Sequence, residues 1–169
     1  MRAIILPAGR GERMGSLTNT CPKPLLEVGG RSLIEHQIER LRIARFDDLV
    51  VNQAYLGGDI RDRLGDGHRL GVRIRYSPEP FGALDTGGGI RNALPLVGRA
   101  PFAVVNCDVW SDFDFAQLHE VNPHAAHLIL VNNPPQHPDG DFALEHGLAR
   151  TEGSPRWTFA GISVYHPSF

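Results

Sequence analysis

Cysteine is scarce in this 169-residue chain, lysine scarcer still, and no long apolar run occurs anywhere in it. Cys21 and Cys107 belong to no CxxC motif or Cys/His cluster, so a zinc site is not expected and reduced thiols are. No segment reaches the roughly eighteen consecutive apolar residues of a membrane span. The N-terminus enters an apolar strand directly, without the basic start, apolar stretch and cleavage site of a signal peptide. A cytoplasmic protein without a membrane partner is therefore expected. The net charge of −2 lacks the basic excess that a nucleic-acid partner requires, although a few arginines focused in one cleft could still hold a triphosphate. The eight histidines are scattered without HExxH-like spacing, and His119, His124 and His166 read as surface or loop residues. Oligomeric state is left open, since no apolar stripe is left over that demands a partner.

What remains is an ordinary globular composition, 41% hydrophobic and 21% charged, in a length that suits one domain over residues 1–169. Strand and helix signals alternate, the pattern of a sheet flanked by helices. Ala3 to Leu6 predicts a first strand. Ser32 with Glu35 forms a capping box ahead of the apolar stripe Leu33, Ile34, Ile38 and Leu41, predicting a helix that ends near Arg45. Leu49 to Asn52 reads as a strand, and Ile60 with Leu64 as a short helix stopped at Gly65-Asp66-Gly67. Val72, Ile74 and Tyr76 alternate with Arg73 and Arg75 in a half-buried strand. A helix is expected to start around Gly88, with its exit bounded by Pro95 and Pro101 and its free N–H groups facing the ligand end of the sheet. Phe102 to Asn106 is a continuous apolar run, as in a central strand covered on both faces. Leu128 to Val131, a proline-rich loop from Pro134 to Asp141, and a terminal strand around Ile162 to Tyr165 complete the reading.

The densest chemistry lies just after the first strand, in Pro7-Ala8-Gly9-Arg10-Gly11-Glu12-Arg13-Met14, followed by Pro22-Lys23-Pro24-Leu25. A glycine-rich turn after a strand is often only a turn. Here Gly9 and Gly11 would let backbone N–H groups approach phosphate oxygens, and Arg13 adds a forked, permanently charged donor. Lys23, the only lysine among the 17 Lys and Arg residues, brings a compact ammonium between two prolines that stiffen its backbone. The conjunction suits a nucleoside triphosphate. A dinucleotide-binding loop would need glycine where Met14 stands, and no Gly-Lys-Ser/Thr run exists for a Walker loop. Ligands of open α/β sheets bind at the carboxyl ends of strands, where both the glycine loop and Asn106-Cys107-Asp108 are expected. Asp108 then becomes the first candidate ligand for Mg²⁺, although a single Asp after a strand is otherwise more often a turn or helix cap.

Residues 6–23 resemble the signature of the sugar-phosphate nucleotidyltransferases. The likeness continues through Val51-Asn52-Gln53-Ala54-Tyr55-Leu56, Tyr76-Ser77-Pro78-Glu79, Leu84-Asp85-Thr86-Gly87-Gly88-Gly89-Ile90 and Asn106-Cys107-Asp108-Val109-Trp110-Ser111-Asp112. The resemblance implies an α/β fold, a Rossmann-like three-layer sandwich around a mostly parallel, mixed central sheet. It implies joining of UTP and a sugar 1-phosphate with Mg²⁺ as cofactor, with guanylyl or other nucleotidyl transfer to mannose or heptose 1-phosphate, or a catalytically impaired nucleotide-binding homologue, as alternatives. Ala8, Gly9, Gly11, Glu12 and Arg13 would line the triphosphate site, Lys23 the α-phosphate, and Gly87 and Asn106 the nucleotide. Glu79 and Asp141 would face the sugar, and Asp108 the metal, with Arg13, Lys23 and Asp108 forming the catalytic set. The sequence departs from the family pattern at Pro7, at Gly15-Ser16 and at Cys107. The resemblance also leads one to expect a further C-terminal segment with a second metal aspartate after Phe169, so that either the sequence is incomplete or the enzyme is impaired.

Overall fold

The computed structural model describes residues 1–7, 15, 17–18, 21–53, 57–79 and 84–168. Its parallel core consists of β1 (Arg2–Leu6), β4 (Asp48–Gln53), β5 (Arg73–Pro78) and β6 (Phe102–Asn106). A short hairpin of β2 (Glu27–Val28) and β3 (Arg31–Ser32) precedes α1 (Leu33–Ile43). Helices α2 (Gly57–Leu64) and α3 (Thr86–Val97) follow β4 and β5 respectively. The second half contributes β7 (Ala126–Val131), β8 (Phe142–Glu145), β9 (Leu148–Arg150) and β10 (Arg156–Tyr165).

In space the strands run β5-β4-β1-β6-β10-β8-β9, with β7 also paired to β10. The pairs β5–β4, β4–β1 and β1–β6 are parallel, whereas β10 lies antiparallel to β6, β7 and β8. The chain therefore leaves β1 toward β4 and β5, then returns to the other side of β1 as β6. That reversal opens a crevice beyond the carboxyl ends of β1 and β6, the usual ligand position in an open α/β sheet.

Alternate residues of β1 feed two separate cores. Ala3 and Ile5 pack with Ile34, Ile38 and Leu41 of α1 and with Ile60 and Leu64 of α2, whereas Ile4 and Leu6 pack with Ala93 and Val97 of α3. A strand buried on both faces has no wet side, which is why β1, β4 and β6 read as continuous apolar runs. The result is the expected three-layer sandwich with a mostly parallel, mixed sheet. Among the described residues no helix is long and apolar enough to cross a membrane.

Several boundaries differ from the sequence reading. Helix α3 begins at Thr86 rather than near Gly88, and it continues through Pro95 to Val97. Pro95 removes one N–H bond close to the helix end, where little ladder remains to disrupt. The stop comes at Gly98, with φ 87°, and there Arg2 Nη1 donates to Val97 O at 2.8 Å. The final strand is ten residues long, from Arg156, not the short segment expected from 162. Pairing with three partners extends it, despite an irregularity of register between Phe159 and Ser163 where Gly161 has φ 73°. The β8–β9 hairpin was not anticipated. Its turn uses His146 and Gly147, both at positive φ, in place of the commoner Asn-Gly signal.

The capping box that starts α1 is present in full. Glu35 N donates to Ser32 Oγ at 3.4 Å, and Glu35 Oε2 accepts from Ser32 N at 2.9 Å. Arg63 of α2 adds Nη2 to Glu35 Oε2 at 3.2 Å, tying the two helices together. Burial by itself pushes the Glu35 carboxyl up, but the hydrogen bonds from Arg63 and Ser32, with the Arg63 charge, outweigh it and hold the group at about 2. Because the folded value lies below the ordinary 4.5, Glu35 contributes stability that is fully present above about 4.5 and fades as pH falls toward 2. Ser32→Ala is expected to lower unfolding free energy by about 1 kcal/mol in urea titrations at neutral pH. Glu35→Gln should likewise be less stable than the parent at pH 7, with the difference closing between pH 4.5 and 2. A gap that stays constant over that range would contradict the assignment.

Candidate functional site

Parallel pairing of β1 with β6 runs in register from Arg2↔Phe102 to Leu6↔Asn106. One more bond, Cys107 N to Leu6 O at 3.0 Å, carries the alignment past the strand ends. The polypeptide leaving β1 toward the glycine loop and the polypeptide leaving β6 toward Asp108 are thus fixed side by side. Ala8, Gly9, Gly11, Glu12 and Arg13 lie outside the described residues.

Lys23 opens a single 3₁₀ turn, Lys23–Leu25, flanked by Pro22 in extended conformation and the buried Pro24. Leu25 N donates to Pro22 O at 2.8 Å and Leu26 N to Lys23 O at 3.1 Å, so the backbone beneath the lysine is held on both sides. Its Nζ donates to Asp108 Oδ2 in a direct ion pair between groups 85 positions apart. Each side chain of the pair is only about a quarter exposed, at 23% and 24%.

Asp108 is braced from behind by α1. Gln37 Nε2 donates to Val109 O, and Arg40 Nη2 donates to Phe113 O at 2.8 Å while its guanidinium lies 4.7 Å from the centre of the Phe115 ring. Neither Gln37 nor Arg40 was singled out from sequence, since polar residues on a helix ordinarily face solvent. The one available hint was that Gln37 falls between the apolar positions Ile34, Ile38 and Leu41, and it is 98% buried, with 2% exposure.

Asn106 meets β10 on its other side. A Cβ at Gly161 would stand 2.9 Å from Asn106 Nδ2 and 2.8 Å from Val109 Cγ2, so glycine is required there for close approach as well as for its φ of 73°. Glu79, at the end of β5, accepts from buried Asn52 Nδ2 at 3.1 Å through Oε1 and from Leu84 N at 2.7 Å through Oε2. Its carboxylate thereby joins β4, β5 and the approach to α3. Gly89 makes room, because a Cβ at that position would lie 2.4 Å from Asn52 Nδ2 and 2.9 Å from Glu79 Oε1. Gly87 sits exposed in the first turn of α3, whose N-cap Asp85 makes no side-chain cap bond. Asn52 and Gly89 are supporting residues that their motif positions did not reveal individually.

Asp141 is engaged elsewhere. Oδ2 accepts from Phe159 N at 2.7 Å, Oδ1 lies 3.1 Å from His137 Nε2, and its backbone oxygen accepts from Arg156 Nη2 at 2.6 Å. The carboxylate fastens β10 to the loop that precedes β8, and the described contacts do not join it to Asp108 or Glu79.

Among the described residues no group of three or more His, Cys, Asp or Glu side chains is arranged around a metal position. Asp108 offers a hard carboxylate oxygen donor at the crevice, which fits Mg²⁺ because that ion commonly keeps several waters and takes one or two carboxylates together with substrate phosphates. The neighbouring Cys107 is buried, and neither it nor Cys21 forms a disulfide.

The sequence pattern of the family described as "Nucleotidyl transferase" matches residues 2–146. An N-acetylmuramate alpha-1-phosphate uridylyltransferase of Neisseria meningitidis is 51% identical over 99% of this chain and 76% of its own length. A mannose-1-phosphate guanylyltransferase of Mycobacterium tuberculosis is 34% identical over 76% of this chain, which spans only 36% of that enzyme. In architecture, a Bacillus anthracis protein described as a glucose-1-phosphate thymidylyltransferase superposes with a TM-score of 0.85 over 99% of this chain and 72% of its own. At 21% identity that likeness speaks for the fold alone.

The close approach of β10 to Asn106 yields a direct test. Gly161→Ala should cost about 1–3 kcal/mol of unfolding free energy, through overpacking and left-handed strain together. Urea unfolding measures it, and an unchanged midpoint would show that the bend absorbs a methyl group.

Proposed function

The chain belongs to the nucleotidyl transferase family, and we propose that it joins UTP to a sugar 1-phosphate, N-acetylmuramate 1-phosphate, releasing the UDP-sugar and pyrophosphate in the cytoplasm. The observation that carries this reading is the convergence of Lys23 and Asp108 at the crevice where β1 and β6 end. The name of the 51% identical Neisseria relative supports the choice of base and sugar, and with it a product that serves as a cell-wall sugar nucleotide.

In the proposed reaction a phosphate oxygen of the sugar 1-phosphate attacks the α-phosphorus of UTP. The bond to the new oxygen forms as the bond to the β-phosphate bridge breaks, and pyrophosphate carries away the electron pair. Such a step needs positioning and charge stabilisation more than covalent help. Lys23 supplies a point charge suited to the α-phosphate, and Arg13 a two-oxygen grip suited to the leaving β- and γ-phosphates. Backbone N–H groups of the loop at Ala8, Gly9, Gly11 and Glu12 cradle the triphosphate. Asn106 and Gly87 flank the nucleotide. Glu79 ties Asn52 to Leu84 N on the sugar side. Bound Mg²⁺, held by Asp108, would neutralise phosphate charge. Asp141 contributes through the strand it fastens, rather than through a free carboxylate.

A second reading, guanylyl transfer to mannose 1-phosphate, draws on the 34% identical Mycobacterium relative. Pyrophosphate release measured side by side with the four nucleoside triphosphates separates the two. UTP with N-acetylmuramate 1-phosphate is expected to turn over fastest and to require Mg²⁺, and preference for GTP with mannose 1-phosphate would replace the first reading with the second. Asp108→Ala should reduce kcat by on the order of a hundredfold or more. Arg13→Lys should lower kcat/KM without changing the unfolding midpoint, whereas unchanged turnover would make Arg13 a solvated surface charge.

A further inference from the structure

Asp108 is asked to hold a divalent cation, yet in the structure its Oδ2 accepts from the ammonium that the reaction assigns to the α-phosphate. Both demands cannot be met by the same contact. We propose that Lys23 is an exchangeable counter-ion for Asp108, which it holds through the ion pair and releases when a divalent cation binds there, so that the ammonium becomes available to the triphosphate only in the cation-loaded protein. This rests on the reading above in which Asp108 is the metal ligand.

Three observations support it. First, the pair is direct and partly screened from water, with both side chains about three-quarters buried, so leaving either charge without a counter-ion is unfavourable. Among the described residues Lys23 Nζ has no other hydrogen-bond partner in the structure. Second, the two ends of the pair differ in what holds them. Asp108 stands on a segment clamped by Cys107 N to Leu6 O, Gln37 Nε2 to Val109 O and Arg40 Nη2 to Phe113 O, so the carboxylate keeps its place. Among the described residues Lys23 is held in its backbone, by the 3₁₀ turn Lys23–Leu25 that follows Pro22, and in its side chain by the pair itself, so its four-carbon stem is the part that can swing. Third, the like charges of an ammonium and a divalent cation repel at a shared carboxylate, and the cation carries the larger charge. Exchange moves the ammonium by side-chain rotation alone, with no change in the sheet.

The scarcity of lysine makes the exchange directly visible. Protein labelled with ¹³C at lysine Cε gives one side-chain signal, because Lys23 is the only lysine in the sequence. Titration of the nucleotide-free protein with Mg²⁺ at constant ionic strength is expected to shift that signal toward its position in Asp108→Asn, while the backbone amides of residues 107–110 report cation binding. Lys23→Met should in addition bind Mn²⁺ roughly three- to tenfold more tightly than the parent, followed by paramagnetic broadening of the same amides, because a partly exposed ion pair no longer competes.

If those amides respond to the cation but the lysine signal stays in place, and Lys23→Met binds Mn²⁺ no more tightly, the exchange is wrong while Asp108 remains the ligand. If the amides fail to respond in both the parent and Lys23→Met, the exchange in the nucleotide-free protein is wrong, and if they respond equally in Asp108→Asn the metal assignment itself falls and takes the exchange with it.

Discussion

The parallel ladder between β1 and β6 is the constraint on which everything else depends. It sets the register Leu6↔Asn106 and extends by one bond to Cys107. Residues from the two ends of a topological reversal are placed together by main-chain hydrogen bonds alone, without help from the side chains that later do chemistry. The apolar faces of β1 then decide where the helices go. Ile5 recruits α1, which presents Gln37 and Arg40 to the segment after β6, whereas Ile4 and Leu6 recruit α3. The site is therefore a by-product of burying both sides of one central strand.

Around it, glycine is used where backbones must nearly touch. Gly89 lets α3 press against the Asn52–Glu79 pair, and Gly161 lets β10 press against Asn106. Each lies opposite a polar side chain whose amide would be displaced by a methyl group. Proline is used in the complementary way at Pro22 and Pro24, to hold the main chain beneath Lys23 still.

Much of the first half was legible in the sequence. Doubly buried strands announce themselves as apolar runs, and Ser32 with Glu35 marks a helix start because both reciprocal bonds are local. Long-range pairing was not legible. Nothing near Arg156 signals that β10 will find three partners, and the His146-Gly147 turn lacks the usual hairpin residues. Among the site residues, Lys23 and Asp108 meet in an ion pair that the sequence reading did not foresee. Asp141 has its carboxylate taken by Phe159 N and His137. That difference is physical: an aspartate in a proline-rich loop satisfies itself from whichever strand edge folds over it, and the edge is a tertiary fact. Gln37, Arg40 and Asn52 escaped notice for the same reason, since their partners lie on other elements.

Strand β10 has two neighbourhoods. Toward its end, Ile162 to Tyr165 lie against β6, and toward its start Arg156 and Trp157 lie against β8, with the kink at Gly161 between them. It is one bent strand shared by both. A displacement of the outer hairpin is carried along a single continuous backbone to Gly161, which packs closely on Asn106. Two halves of the molecule that look free to diversify independently are thus mechanically coupled, and variation at one should be answered by compensating variation at the other.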